Sequence, residues 1–566
     1  MNLQKTSKIT LLFLLFFTVF FGYQLQYLQF SYDMEDFFPI NSEDTQFFEK
    51  FCQNFGNDGD YILIGVHQSK GIFQQDFLEQ IEAVTEQIKR LPNIENVQSI
   101  THLKEFRRSA FYHKLLEVPY ITTSKSEKYA EDSSRIYNNP LLVDFLVSKD
   151  AKSVLLYAKN TELLDEKGCR ELTADLHATL EGFTFEEIHI AGRCMGQTVY
   201  IDMIQSEVQV FISFSILVIV LVLCLTYRSI LGVLLPLSVV GLTVLWTMGI
   251  MVLMGKSVDL ISNVIPTILM IIGIADVIHL LTHYQHLQVE NQIQNNPQNF
   301  LSILKKTIKE VGKATLLTTF TTAIGFLTLT TSSFKPLVDL GWYTTIGLLL
   351  ALLLTYTLVP AVLVLIEGKW KIQAQKSNTN SKRGSYFYWK KNLKFRDTLY
   401  LQKTFDWTLK HPKSIMVSAA VIIFLAVFGA SQIKVNNYIL EDLKEDHFQQ
   451  KDFIFFEKHF GGARAFELVV TAKDTSIQIF DFEALKEIAL VDSFLTKHYG
   501  VKNLVSPVVL VKSANQIYNQ GRSEFYQLPS TPKENRQITK RLQQYTDDIQ
   551  LEKMVDSSQI MAHISG

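Results

Sequence analysis

The sequence predicts an α-helical polytopic membrane protein that carries two extracytoplasmic α+β domains. Three observations predict it. Seven segments are apolar over about the 20 residues that a helix needs to cross a bilayer core. The lysines and arginines between them crowd onto one side. The region around the first span also returns 405 residues later, as a parallel internal repeat.

The seven segments are residues 9–30, 208–227, 230–254, 261–284, 314–333, 340–366 and 414–433. Lys5 and Lys8 precede the first apolar run, as they would in a signal peptide. No small-residue cleavage site follows Phe20-Phe21-Gly22-Tyr23, so an uncleaved anchor is the better reading. Composition agrees with a mixed chain: 47% of the 566 residues are apolar, and mean hydropathy is +0.12. Those averages combine charge-free stretches with sequence typical of globular domains. A net charge of −2 offers no basic face for nucleic acid.

Orientation follows from the cations, which stay on the cytoplasmic side of short loops. Lys369, Lys371, Lys376, Lys382, Arg383, Lys390, Lys391, Lys394, Arg396, Lys403 and Lys410 follow the sixth span, opposed only by Glu367, Asp397 and Asp406. Lys305, Lys306, Lys309 and Lys313 lie between the fourth and fifth spans, whereas the links after the third and fifth offer only Lys256 and Lys335. The N-terminus and the basic linker are therefore expected in the cytoplasm. The chain divides into a first span (1–30), a first extracytoplasmic domain (31–206), a five-helix bundle (207–366), the basic linker (367–412), a seventh span (413–433) and a second domain (434–566). Between the fourth and fifth spans, Leu301, Leu304, Ile308 and Val311 form an apolar stripe with lysines facing away. That stripe suits a helix lying on the inner membrane surface or an ordinary connecting helix.

The repeat places Lys8 on Lys413, Phe55-Gly56 on Phe460-Gly461, and Tyr61, Leu63 and Ile64 on Phe466, Leu468 and Val469. Read without gaps, it also places Ser153–Ala158 on Ser558–His563. The spans that open the two copies are separated by an even number of steps, so both enter the membrane in one sense, as in transporters built from two rocking halves. The second copy stops early, which suggests a fragment of a parent chain of about 770 residues and twelve spans. Within the first domain, strands at Tyr61–Val66, Val97–Ile100, Ser153–Ala158 and Ile188–Gly192 alternate with helices at 75–90 and 162–181. Two β-α-β units of this kind suggest a split β-α-β, ferredoxin-like sandwich. His189 falls on a strand, where a structural role outweighs a catalytic one. Cys52, Cys169, Cys194 and Cys224 have no metal-ligand spacing and read as free thiols, with a disulfide among the first three left open.

The chemistry is concentrated in the fourth span, Ile271-Ile272-Gly273-Ile274-Ala275-Asp276-Val277-Ile278-His279-Leu280-Leu281-Thr282-His283. A carboxylate inside an apolar span costs several kcal/mol unless it is protonated or paired, and so marks a functional site. Asp276 and His279 are one helical step apart and can hold or pass a proton, while His283 lies near the cytoplasmic mouth. The alternative for Asp276 is a helix-packing hydrogen bond. The fifth span holds Thr315, Thr318, Thr319, Thr321, Thr322, Thr328 and Thr330 with Gly325. Helix packing accounts for most of these, leaving one or two to line a path to Asp276.

The run Gly273-x-x-Asp276-x-x-His279, with Thr321-Thr322-Ala323-Ile324-Gly325-Phe326, Gly341 and Pro360, resembles the resistance–nodulation–division (RND) superfamily of transporters. The nearest branch is similar to the mycobacterial large membrane proteins (MMPL) and to Patched-like proteins with sterol-sensing domains. Ile272 stands where that family often has glycine. The resemblance implies proton-gradient-driven export of a hydrophobic or lipid-like molecule through the cell (inner) membrane. It assigns proton coupling to Asp276 and a supporting motif to Gly273, Thr321, Thr322, Gly325 and Pro360; His279, on the same helix face, completes the expected proton relay as the modulator of Asp276. The implied partners are protons, the bilayer and a hydrophobic cargo, with a homo-oligomer or accessory proteins beside them. Two other functions fit the same residues: lipid sensing without transport, and proton-driven assistance to protein export. No phosphate loop, nucleophile elbow or zinc motif occurs, so neither an enzyme nor a cofactor or metal is expected.

Overall fold

The computed structural model describes residues 3–32, 38–39, 42–56, 59–108, 115–139, 141–227, 229–293, 300–376, 396–433, 447–462, 466–519, 521–542 and 554–566. Most of the basic linker, residues 377–395, lies outside them. In chain order the elements begin with α1 (Leu3–Gln24), α2 (Glu43–Phe55), β1 (Tyr61–His67), α3 (Gln75–Ile88), β2 (Ile94–Gln98), β3 (Lys104–Arg108) and β4 (Leu115–Pro119). They continue with α4 (Tyr129–Tyr137), β5 (Ser153–Asn160), α5 (Glu166–Leu180), β6 (Glu187–Gly192), α6 (Arg193–Tyr227), α7 (Ile230–Leu253) and α8 (Ile265–Ile293). Next come α9 (Phe300–Leu327), α10 (Lys335–Lys376), α11 (Arg396–Lys410), α12 (Pro412–Ser431) and α13 (Phe448–Phe460). The chain closes with β7 (Glu467–Thr471), α14 (Phe482–Phe494), α15 (Pro507–Tyr518), α16 (Pro532–Leu542) and β8 (Met561–Ser565).

Among the described residues, seven helices are long and apolar enough to cross a membrane, and they match the seven segments expected from hydropathy. The chain forms two compact units, 1–30 with 204–442 and 31–203 with 443–566. In the first unit α7, α8 and α10 are the most enclosed helices, while α12 keeps an apolar surface that is entirely exposed. Small residues set the close approaches, because van der Waals packing rather than water exclusion joins helices in lipid. A Cβ on Gly249 would stand 2.8 Å from Phe21 of α1, and one on Gly347 only 2.5 Å from Leu269 of α8. The apolar stripe ahead of the fifth span belongs to α9 itself. Of that stripe, Leu304 is buried in the bundle core and Ile308 and Val311 pack against it, so α9 is the connecting helix of the two alternatives rather than a helix laid on a membrane surface.

In the second unit β2, β5, β1 and β6 form an antiparallel sheet in that order, with α3 and α5 as crossovers. This is the split β-α-β order expected of a ferredoxin-like domain. Its core holds Ile62, Ile64, Leu78, Ile81, Leu156 and Leu176. Cys169 and Cys194 form a disulfide, so these two cysteines are not free, contrary to the sequence reading. Cysteines 25 residues apart carry no spacing signal; the fold brings their Cα atoms to 4.8 Å by packing α5 beside the start of α6. Arg193 to Asp60 and Arg170 to Asp202 (2.9 Å) hold the same start of α6.

The repeat is visible in the backbone. Helices α2 and α13 have 13 residues each and end at Gly56 and Gly461, whose φ angles are 84° and 81°, where a side chain would be strained. Strand pairing corrects the gapless alignment. Leu63 faces Tyr157, but its twin Leu468 faces Ile564, so the offset has grown by two residues between the strands. The larger offset also carries the buried Thr85–Ser99 hydrogen bond (3.1 Å) onto Asp492–Ser506 (2.7 Å). The two extra residues fall in the exposed loop between β7 and α14, where insertions are tolerated. A slip of two leaves every strand side chain on its own face, so the hydrophobic pattern cannot reveal it.

The two helices that lead into the domains are exchanged. Phe455, Phe456 and Phe460 of α13 cover Leu63 and Leu155 on the first domain's sheet. Phe51 and Phe55 of α2 lie against His563 on β8 of the second, at ring distances of 5.0 and 5.4 Å. Gly65 makes room for α13, since a Cβ there would stand 2.5 Å from the Phe455 ring.

Candidate functional site

Helix α8 carries Asp276 into the bundle core because every neighbour from Ile271 to Ala275 is apolar or small. Asp276 is 9% exposed. Its Oδ2 accepts a hydrogen bond from Thr319 Oγ1 on α9 at 3.2 Å. No Lys or Arg occurs between residues 257 and 304, so helix α8 itself supplies no cation. His279 and, on α10, Tyr356 lie within electrostatic reach of the carboxyl. The site is thus a buried carboxyl served by a neutral donor, an arrangement that can take up and release a proton without breaking an ion pair.

Helices α8 and α9 meet along an antiparallel seam. Asp276 faces Thr319 and, two turns further, His283 Nε2 meets Glu310 Oε2 at 2.8 Å. His279 is exposed, one step off the seam. His283 was expected only at the mouth, yet it is the histidine paired with a carboxylate on α9.

The threonines of the fifth span, in α9 and the turn that follows it, separate into two kinds. Thr318, Thr321, Thr322, Thr328 and Thr330 donate to carbonyls of their own segment. Thr315 does the same, whereas Thr319 also reaches Asp276. Thr315, Thr319 and Ala323 share the buried stripe at four-residue spacing, a signal that singles out Thr319 only once the bundle side of α9 is known. Tyr356 carried no such signal.

Of the motif glycines, Gly273 packs α8 against α10, with Ala351 Cβ 3.5 Å from where a Cβ would stand. Gly325 has open space around it, and Thr321 is exposed. Pro360 lies inside α10. Among the described residues no cluster of His, Cys, Asp or Glu has the geometry to hold a metal ion.

Two comparisons bear on this arrangement. Residues 62–397 match the MMPL family, an interval that runs from β1 through α10 and takes in Asp276 and Thr319. A Methanocaldococcus jannaschii protein, described only as a membrane protein, is 29% identical over 149 residues. That similarity covers 26% of this chain and 37% of the relative. With a match over more than half its length and a buried carboxyl in a multi-pass bundle, the chain belongs to the MMPL family.

Proposed function

We propose that the protein is an RND-type transporter that exports a hydrophobic or lipid-like molecule at the expense of a proton gradient. Asp276 is its proton-binding group. The observation that carries this reading is the Asp276 carboxyl buried in the bundle with Thr319 as its neutral donor. A buried carboxyl of this kind changes its hydrogen bonding when it gains a proton, because the protonated oxygen becomes a donor. That change can bias the α8–α9 seam between two arrangements. His279, exposed and within electrostatic reach, modulates the site. Among the described residues, Thr267 on α8 and Thr344 and Thr355 on α10 have buried hydroxyls without a protein hydrogen-bond partner.

Orientation belongs to the same proposal. The N-terminus and the linker lie in the cytoplasm, and both α+β domains lie outside the cell membrane. The Cys169–Cys194 disulfide supports this, because disulfides persist in oxidising compartments.

The test uses the protein in energised membrane vesicles with a fluorescent long-chain lipid as probe. Gradient-dependent export of the probe should be abolished by a protonophore and by Asp276→Asn, with folded protein in the membrane unchanged. His279→Ala should weaken export or shift its pH dependence. Full export by the Asp276→Asn protein would exclude the proton role and favour a sensor.

A further inference from the structure

The seat of α13 on the first sheet is ringed by histidines that neither the bundle chemistry nor the core packing of the domain requires. Phe455 is the centre. His189 of β6 stacks on its ring at 3.9 Å, His459 lies 4.8 Å away on the next turn of α13, and His67 of β1 is 6.5 Å away. His67 and His459 are themselves 5.8 Å apart. The rings come from both partners in the contact, two from the first domain and one from the helix that leads into the second.

Their surroundings differ in sign. His189 Nδ1 meets Asp452 of α13 at 2.8 Å, and its Nε2 lies 3.5 Å from Glu187. Among the described residues, the carboxylate beside His459 is Asp150, at 3.9 Å, and its other charged neighbours are Lys458, His67 and His189. His67 bonds Ser153 at 2.9 Å, with Asp150 and Glu186 in electrostatic range.

We propose that the seat of α13 is a proton-gated clasp, docked while His189 carries a proton and His459 does not, and loosened on either side of that state. The clasp joins the two exchanged domains, so its release would free the second domain's leading helix from the first domain's sheet.

The signs follow from linkage. Burial opposes charge on His189, but Asp452 and Glu187 outweigh it and raise its proton affinity above the ordinary value. Its contribution is complete below that ordinary value and is lost as pH rises through the raised one. Burial lowers the affinity of His459, helped by Lys458, His67 and His189 and opposed by Asp150. As pH falls below the ordinary value, the undocked helix takes up that proton more readily, so docking is lost toward acid.

Hydrogen exchange of the α13 amides in the full chain, held in lipid nanodiscs, tests this from about pH 5 to about pH 9. After correction for intrinsic rates, protection should be greatest around pH 6.5 and should fall on both sides, by at most about tenfold per pH unit for each linked proton. His459→Asn should remove the acid decline, and His189→Gln the alkaline one. Asp452→Asn keeps all three rings and should move the alkaline decline to lower pH. A profile flat in the parent chain, or unchanged in His459→Asn and His189→Gln, would overturn the proposal.

Discussion

At the scale of single residues, Asp276 was legible because a lone carboxylate in an apolar run has no cheap explanation. Its donor was not. Eight threonines crowd the fifth span, and choosing Thr319 among them requires knowing which side of α9 meets α8. Tyr356 lies within reach of the carboxyl only because α10 crosses there, a relation between positions 80 residues apart that leaves no local pattern. The pairing gives a direct comparison. Thr319→Val removes the hydroxyl bonded to Asp276, and a hydrogen bond between membrane helices is worth about 0.6 kcal/mol on average. The variant should fold and insert normally but shift the pH dependence of export. Thr322→Val removes a hydroxyl bonded only to its own helix, so its pH profile should match the parent's. Identical profiles for both variants would remove Thr319 from the site.

At the scale of elements, the four sheet strands and two crossover helices of the first domain were readable from alternation and amphipathic spacing, whereas α2, the β3–β4 hairpin and α4 were not. The exchange of α2 and α13 was not readable either, because each touches strands roughly 300 to 500 residues distant in sequence, and such contacts leave no mark on a local window. Gly65 is the position that the exchange constrains. Gly65→Val should push Phe455 off the sheet and cost about 1–3 kcal/mol, as overpacking does. Faster tryptic cleavage at Lys451 and Lys458 would report it, with the rest of the first domain still resistant. The disulfide gives a second check at this scale. Closing a loop of this size contributes about 3 kcal/mol in the chain-entropy picture, so Cys169→Ala with Cys194→Ala should lower the melting temperature of the domain. An unchanged melting temperature would mean that packing and the Arg193–Asp60 and Arg170–Asp202 pairs suffice to hold the start of α6.

For the whole molecule, the seven spans were readable because a bilayer demands long uncharged helices, and the repeat was readable because its leading helices kept their spacing. Orientation rests on the cation bias and on the disulfide. Single cysteines introduced at Lys89 and Lys403, in a protein whose Cys52 and Cys224 are replaced by serine, separate the two sides. Both positions are exposed. In intact cells a membrane-impermeant thiol reagent should label position 89 and spare position 403 until the membrane is opened. The reverse pattern would invert the protein.

If Asp276 carries the proton that drives export, proton movement across the membrane should depend on that one carboxyl. Purified protein is reconstituted into vesicles that trap a pH-sensitive dye, and a pH gradient is imposed in the presence of the long-chain lipid probe. The parent protein should admit protons in step with probe movement. Asp276→Asn, incorporated to the same level, should admit them no faster than protein-free vesicles and move no probe. Equal proton entry and equal probe movement in the two proteins would contradict the account.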